Sequence, residues 1–252
     1  MNRATTAEFL PSSVSAETGL MRAIDHACVQ SSPFPHVFIR DVFPKSYYEL
    51  MRQNFPNPAL LISNGEAGRG NNLQARFVFE LKPNYLETLP DEQRQFWSGF
   101  ADWILCDRLR QFIIAKFSDS ITRRFGSLEH IEFWSDAVLV EDQTTHSMGP
   151  HTDHPRKAVT LLFYLPDDES QIHLGTSIYR PKDPAFVCSG MAHHAHDKFD
   201  RAITFPFVPN ALVMFTKSDI SFHGVEPIND LNCRRWLLML NVNVRDPTGP
   251  VH

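Results

Sequence analysis

With 252 residues, 42% of them hydrophobic and 21% charged, the chain is long enough for one large globular domain with a sizeable core. A formal net charge of −5 offers no basic face of the kind nucleic acid demands, and no apolar run nears the roughly 18 residues of a membrane span. The cysteines Cys28, Cys106, Cys188 and Cys233 are far apart with no C-x-x-C, which indicates neither a zinc ribbon nor a disulfide framework and fits a reducing cytoplasm.

Residues 1–16 lack an apolar export signal and read as a poorly ordered tail. Over 17–30, Leu20, Ile24 and Cys28 recur at four-residue spacing, which predicts an amphipathic helix; Pro33 and Pro35 then break it. Residues 36–40 read as a strand, and Pro44 opens a helix through Tyr47, Leu50 and Phe55. The segment 57–74 holds Pro58, Gly65, Gly68 and Gly70 and predicts a long polar loop, a lid or simply mobile. Its glycine spacing matches neither G-x-G-x-x-G nor a P-loop. In 90–118, Phe96, Phe100, Trp103, Cys106, Leu109, Ile113 and Phe117 recur every three or four residues, predicting one helix that buttresses a sheet from outside.

The second half reads as strands. Residues 133–141 lead into a polar loop, 142–149, and 158–165 form a β-type run ended by Pro166-Asp167-Asp168. A short strand at 174–180 precedes a long insertion, 181–201, expected to be a lid. Segments 204–207, 211–215, 223–225 and 236–244 complete about eight strands. Short strands behind a helical first half give the fold class: mainly β with flanking helices (α+β), with a jelly-roll core.

Two short stretches carry chemistry. In Met148-Gly149-Pro150-His151-Thr152-Asp153, extended backbone puts His151 and Asp153 on one face and turns Thr152 away. His223, in Ser221-Phe222-His223-Gly224-Val225, can add a second imidazole from a neighbouring strand. Two neutral imidazoles and one carboxylate leave the other positions of a metal open, the donor set suited to non-haem Fe(II). Structural zinc instead closes its coordination sphere and prefers thiolate. His154 either supports the ligands from behind or sits in solvent. His193, His194 and His196 raise a second metal site, but a solvated loop over the substrate is the plainer reading.

The order metal donors, strand, strand, metal donor, cation, strand, over about residues 134–244, resembles the 2-oxoglutarate/Fe(II)-dependent dioxygenases, prolyl-hydroxylase-like branch. The resemblance implies a double-stranded β-helix (jelly-roll, cupin-like) core and one dioxygenase domain over 17–252, with 17–127 largely helical support and 128–246 the core. It implies Fe(II) on His151, Asp153 and His223, with 2-oxoglutarate and dioxygen as co-substrates and ascorbate as a helpful reductant. An arginine shortly after the second His would take the far carboxylate of 2-oxoglutarate, which its planar fork can grip with two hydrogen bonds. Arg234 and Arg235 are adjacent, so a strand turns only one of them inward. Arg235 is chosen because an aromatic and aliphatic strand follows it. Arg234 stays the alternative, since Leu237 stands where R-x-S members have Ser. Tyr164 matches a tyrosine that donates to the same carboxylate, and Thr160 shares its face by parity; both are also ordinary strand formers. Asp153 stands where halogenating relatives have a small residue, which implies a hydroxylase. The expected reaction is hydroxylation of an unactivated C–H of a small molecule, with 2-oxoglutarate converted to succinate. The alternatives are a cupin-like isomerase or lyase that needs no Arg235, and a protein or peptidyl hydroxylase. A silent binding module would have no physical need for all three donors.

Overall fold

Two antiparallel sheets face each other, and side-chain alternation along their strands decides what each face does. The computed structural model describes residues 13–69, 73 and 75–245. The first half supplies helices α1 (Ser13–His26), α2 (Lys45–Gln53), α3 (Pro83–Leu86), α4 (Asp91–Ile104), α5 (Asp107–Lys116) and α6 (Ser118–Phe125). It also supplies three strands, β1 (His36–Ile39), β2 (Ile62–Ser63) and β3 (Arg76–Glu80). The second half is β4 (Phe133–Gln143), β5 (Met148–His151), β6 (Lys157–Tyr164), β7 (Ser177–Pro181), β8 (Phe199–Thr204), β9 (Ala211–Thr216), β10 (His223–Val225) and β11 (Arg234–Val244).

Several boundaries differ from expectation. Residues 13–16 are helical, so the tail reading fails there, and 1–12 lie outside the described residues. The first helix ends at His26, short of 30. The single helix expected over 90–118 is broken at Cys106, whose backbone is extended (φ −68°, ψ 157°). Its thiol accepts from Leu109 N–H at 3.5 Å and caps α5, so the apolar spacing continues across a helix end. The loop at 57–74 contains a 3-10 turn, Pro58–Leu60, and β2, which pairs with β3; 70–72 and 74 lie outside the described residues. The strand expected at 204–207 lies instead at Phe199–Thr204. Pro206 lacks an N–H for a ladder, and Phe205 and Phe207 turn into the core. The described residues hold eleven strands, where about eight were expected.

The larger sheet runs β1-β9-β6-β11-β4-β3-β2 and the smaller β5-β10-β7-β8. Every pairing is antiparallel. In β11, Leu238, Leu240, Val242 and Val244 point outward and pack under the helices, with Leu139 of β4 and Leu161 of β6. The alternate residues Leu237 and Met239 point between the sheets, with Val140, Leu162 and Phe215. A strand buried on both faces carries hydrophobic residues on both parities, which is why these runs read as near-continuous apolar stretches. Phe55 stacks on Trp236 at 4.3 Å, tying the end of α2 to the larger sheet. The polar residues on the inward parity of β11 are Arg235, Asn241 and Asn243, and they face the cavity between the sheets.

Candidate active site

Strand register builds the metal centre. His151 and His223 are direct cross-strand partners on β5 and β10, so their side chains start about 5 Å apart on one face. Their rings come to 4.3 Å between centroids. The strands close this tightly because residue 224 has no side chain: a Cβ there would lie 2.3 Å from Met148 O. Asp153 follows β5 by two residues, and the Thr152 hydroxyl between them points away to Cys188 O, at 2.8 Å. The ligand atoms of His151, Asp153 and His223 lie within 4.8 Å of one another, and all three side chains are buried.

The donors are in the form a divalent metal needs. His151 Nδ1 faces Gly149 O at 3.1 Å, and His223 Nδ1 faces Ser221 O at 3.0 Å. Each contact is satisfied by a protonated Nδ1, which leaves both Nε2 lone pairs for the metal. Burial pushes both imidazoles below their ordinary range, so both are neutral. Burial alone would raise the Asp153 carboxyl, but the charge of Lys157 and its hydrogen bond outweigh it and hold it well below the carboxylate range. Lys157 Nζ donates to Asp153 Oδ1 at 2.8 Å, and Thr160 Oγ1 donates to Oδ2 at 2.7 Å. Arg124 of α6 donates to Lys157 O at 2.5 Å and to Pro155 O, pinning the turn that carries Asp153.

The cavity beside these donors measures about 610 Å³. At one end Arg235, 1% exposed, donates from Nε to Leu174 O (2.6 Å), from Nη1 to Asp142 Oδ2 (2.7 Å) and from Nη2 to Thr176 Oγ1 (3.4 Å). Arg76 of β3 grips both oxygens of the same Asp142, at 2.6 and 2.8 Å. Two guanidiniums therefore share one carboxylate at this end. Burial works against the Asp142 charge, but Arg76, His146 and Arg235 keep it ionised far below the usual range. Arg234 is exposed and lines a separate, smaller pocket with Trp236, so strand parity leaves it outside the cavity. Tyr164 is fully buried behind Thr176, whose N–H it accepts at 2.9 Å, and does not line the cavity. Thr160 lines the cavity wall, with its hydroxyl committed to Asp153.

The histidine-rich segment is divided among three environments. His193 lies 4.6 Å from the His151 ring and lines the cavity, while His194 packs against Phe186, Phe199 and Phe222. His196 meets Tyr179 and approaches Glu226 at 3.8 Å. Among the described residues the one cluster that can hold a metal is His151, Asp153 and His223. His154 is exposed at the cavity rim, and its Nδ1 accepts from Arg156 N–H at 3.0 Å. The residues without a counterpart in the sequence expectations are Arg76, Asp142, Lys157, Asn241 and Asn243. The two asparagines were within reach, because they share the odd parity of Arg235 in an otherwise apolar strand.

No protein-family model matches the sequence, and no curated protein does. Solved structures do match by fold. A prolyl 4-hydroxylase from Phytophthora capsici is 15% identical, with a TM-score of 0.55, over 97% of this chain and 70% of that one. A prolyl-4-hydroxylase from Pseudomonas putida is also 15% identical, with a TM-score of 0.50, over 90% of this chain and 100% of that one. The non-haem alpha-ketoglutarate-dependent epimerase SnoN of nogalamycin biosynthesis is 10% identical, with a TM-score of 0.51, over 91% and 81%. The fold is that of the 2-oxoglutarate/Fe(II)-dependent oxygenases, a jelly-roll core with flanking helices. No described helix is long and apolar enough to cross a membrane.

Proposed function

We propose that the chain is an Fe(II)- and 2-oxoglutarate-dependent oxygenase that hydroxylates a C–H bond of a small molecule. The observation that carries this reading is one cavity holding both a two-His, one-carboxylate donor set and an arginine pair that is short of negative charge. His151 and His223 would present Nε2 to Fe(II), and Asp153 would supply the anionic ligand. Thr160 and Lys157 fix the orientation and charge of that carboxylate. Arg76 and Arg235 carry two positive charges against the one of Asp142, so a further carboxylate is welcome beside them. That is the requirement of the far end of 2-oxoglutarate. When bound, iron and 2-oxoglutarate would supply the oxidising power, with dioxygen consumed, 2-oxoglutarate decarboxylated to succinate and one oxygen atom delivered to the substrate. The chain orients these partners and places the apolar side chains of Leu162, Phe215, Leu237 and Met239 along the cavity wall beside the reacting centre.

A cupin-like isomerase or lyase would use the same donors but would not need the arginine pair. The purified protein with Fe(II), ascorbate and dioxygen should release succinate from 2-oxoglutarate slowly, even without its substrate. No succinate and no calorimetric 2-oxoglutarate binding by the metal-loaded protein would overturn the reading in favour of the isomerase or lyase.

A further inference from the structure

Asn241 lies on β11 in direct register with Thr160 of β6 on one side and Asp136 of β4 on the other. Thr160 donates to Asp153 Oδ2, so Asn241 stands one strand spacing, about 4.8 Å, from a residue that orients a metal ligand. Its Nδ2 donates to Asp136 Oδ1 at 2.9 Å. Asn243, two residues on, donates to Asp136 Oδ2 at 2.7 Å, and Arg69 donates to Oδ1 at 2.5 Å. Burial alone would raise the Asp136 carboxyl, but Arg69 and the two asparagines outweigh it, so it stays ionised and can only accept. The amide orientation of Asn241 is thereby fixed, with nitrogen towards Asp136 and oxygen away from it. That oxygen, on a side chain 1% exposed, has no protein partner, while the residue lines the cavity. Leaving a buried acceptor unsatisfied destabilises the fold. A network that orients the acceptor this firmly and then leaves it open is arranged for a donor from outside the protein.

We infer that Asn241 Oδ1 is the substrate-orienting group of the cavity, and that the substrate presents to it a neutral hydrogen-bond donor, an alcohol O–H or amide N–H, close to the carbon to be oxidised. This rests on the oxygenase reading above and adds the class of substrate. A neutral donor fits better than an ammonium. The side chains lining the cavity include six cations (Arg69, Arg76, Lys82, Arg156, Lys157, Arg235) against three carboxylates (Glu80, Asp136, Asp153), and a divalent metal would add to that excess. The apolar stretch of Leu237, Met239 and Leu162 beside Asn241 suits the carbon skeleton.

The test uses the full chain loaded with Mn(II) and 2-oxoglutarate, and three probes built on one ring: cyclohexanol, methoxycyclohexane and cyclohexylammonium. Relaxation of the probe protons by bound manganese reports their occupancy near the metal. Cyclohexanol should bind about three- to tenfold more tightly than the ether, the worth of one neutral hydrogen bond, with the ammonium weakest. Asn241→Ala should erase the preference for the alcohol, whereas Asn243→Ala, which touches Asp136 but leaves the Asn241 oxygen in place, should keep it. The comparison of alcohol with ether in the unmodified chain needs no variant to fold. Equal binding of alcohol and ether, no relaxation of any probe, a stronger ammonium, or a preference that survives Asn241→Ala would each overturn the inference. Failure to bind Mn(II) or 2-oxoglutarate would instead overturn the oxygenase reading on which it rests.

Discussion

The two ends of β11 are polar in opposite ways. At the Arg235 end the interactions centre on charge: two guanidiniums converge on Asp142, and a carbonyl and a hydroxyl oxygen each accept one further N–H of Arg235. At the Asn241 end the charges are matched, with Arg69 and Lys82 against Glu80 and Asp136, and what is left over is a neutral acceptor. Between them lie Leu237 and Met239, which keep the two ends apart. A cation-rich end suits a ligand that always carries the same anion, while a neutral acceptor discriminates by whether a donor is present. On the proposed reading, a fixed co-substrate and a selected substrate would make these two different demands of one strand.

The largest effects should come from the donors between the two ends. His151→Ala, Asp153→Ala and His223→Ala should each weaken metal binding by more than the roughly ten- to 100-fold that supporting partners are worth, with the melting transition retained because the surrounding core is apolar. Metal titration by calorimetry checks this, and near-unchanged affinity in all three variants would remove the centre from the comparison.

Next in size is the charged end. Arg235→Ala should cost about 3–5 kcal/mol of 2-oxoglutarate affinity, hundreds-fold or more in Kd, while leaving metal affinity in place. Arg234→Ala, outside the cavity, should change neither. A large loss from Arg234→Ala would reverse the parity on which the contrast stands.

Acid should erode the same end. The folded Asp142 carboxyl titrates below its unfolded value near 3.9, so its contribution to stability is present above about pH 4 and is lost as pH falls towards the folded value. Asp142→Asn lacks that contribution at every pH. Its melting temperature should lie below that of the unmodified chain at neutral pH, and the gap should narrow as pH falls below about 4. A gap independent of pH would mean that Asp142 does not neutralise the arginines. The smallest change is Tyr164→Phe, which removes the acceptor for Thr176 N–H and should weaken 2-oxoglutarate binding by roughly tenfold, about 1–2 kcal/mol, acting through Thr176. An unchanged Kd would confine Tyr164 to packing.

The sequence made the donor set legible because an i, i+2 spacing translates directly into a shared face, and because apolar runs on either side mark the strands that frame it. Arg235 was legible for the same reason, once β11 was recognised as a strand. Arg76 and Asp142 were not, since their meaning depends on β3 lying beside β4, a pairing between residues more than sixty positions apart. Thr160 reads as a strand former and Lys157 merely precedes that run, until the turn after Asp153 brings both back to it. The break at Cys106 escaped because helical periodicity counts apolar residues and is blind to a thiol that caps the next helix. The three histidines of the 181–201 segment illustrate the opposite error, since nearness in sequence gives no shared site when one faces the cavity and the others pack against aromatic rings.

The most direct test of the account is an anaerobic titration of the protein with Fe(II) and then 2-oxoglutarate, followed by visible absorption. A metal-to-ligand charge-transfer band should grow with 2-oxoglutarate and saturate at one equivalent. It should be absent in His223→Ala at any concentration, and should require hundreds-fold more 2-oxoglutarate in Arg235→Ala. No band in the unmodified, iron-loaded protein, or one that grows identically in Arg235→Ala, would contradict the claim that this cavity joins a metal to 2-oxoglutarate.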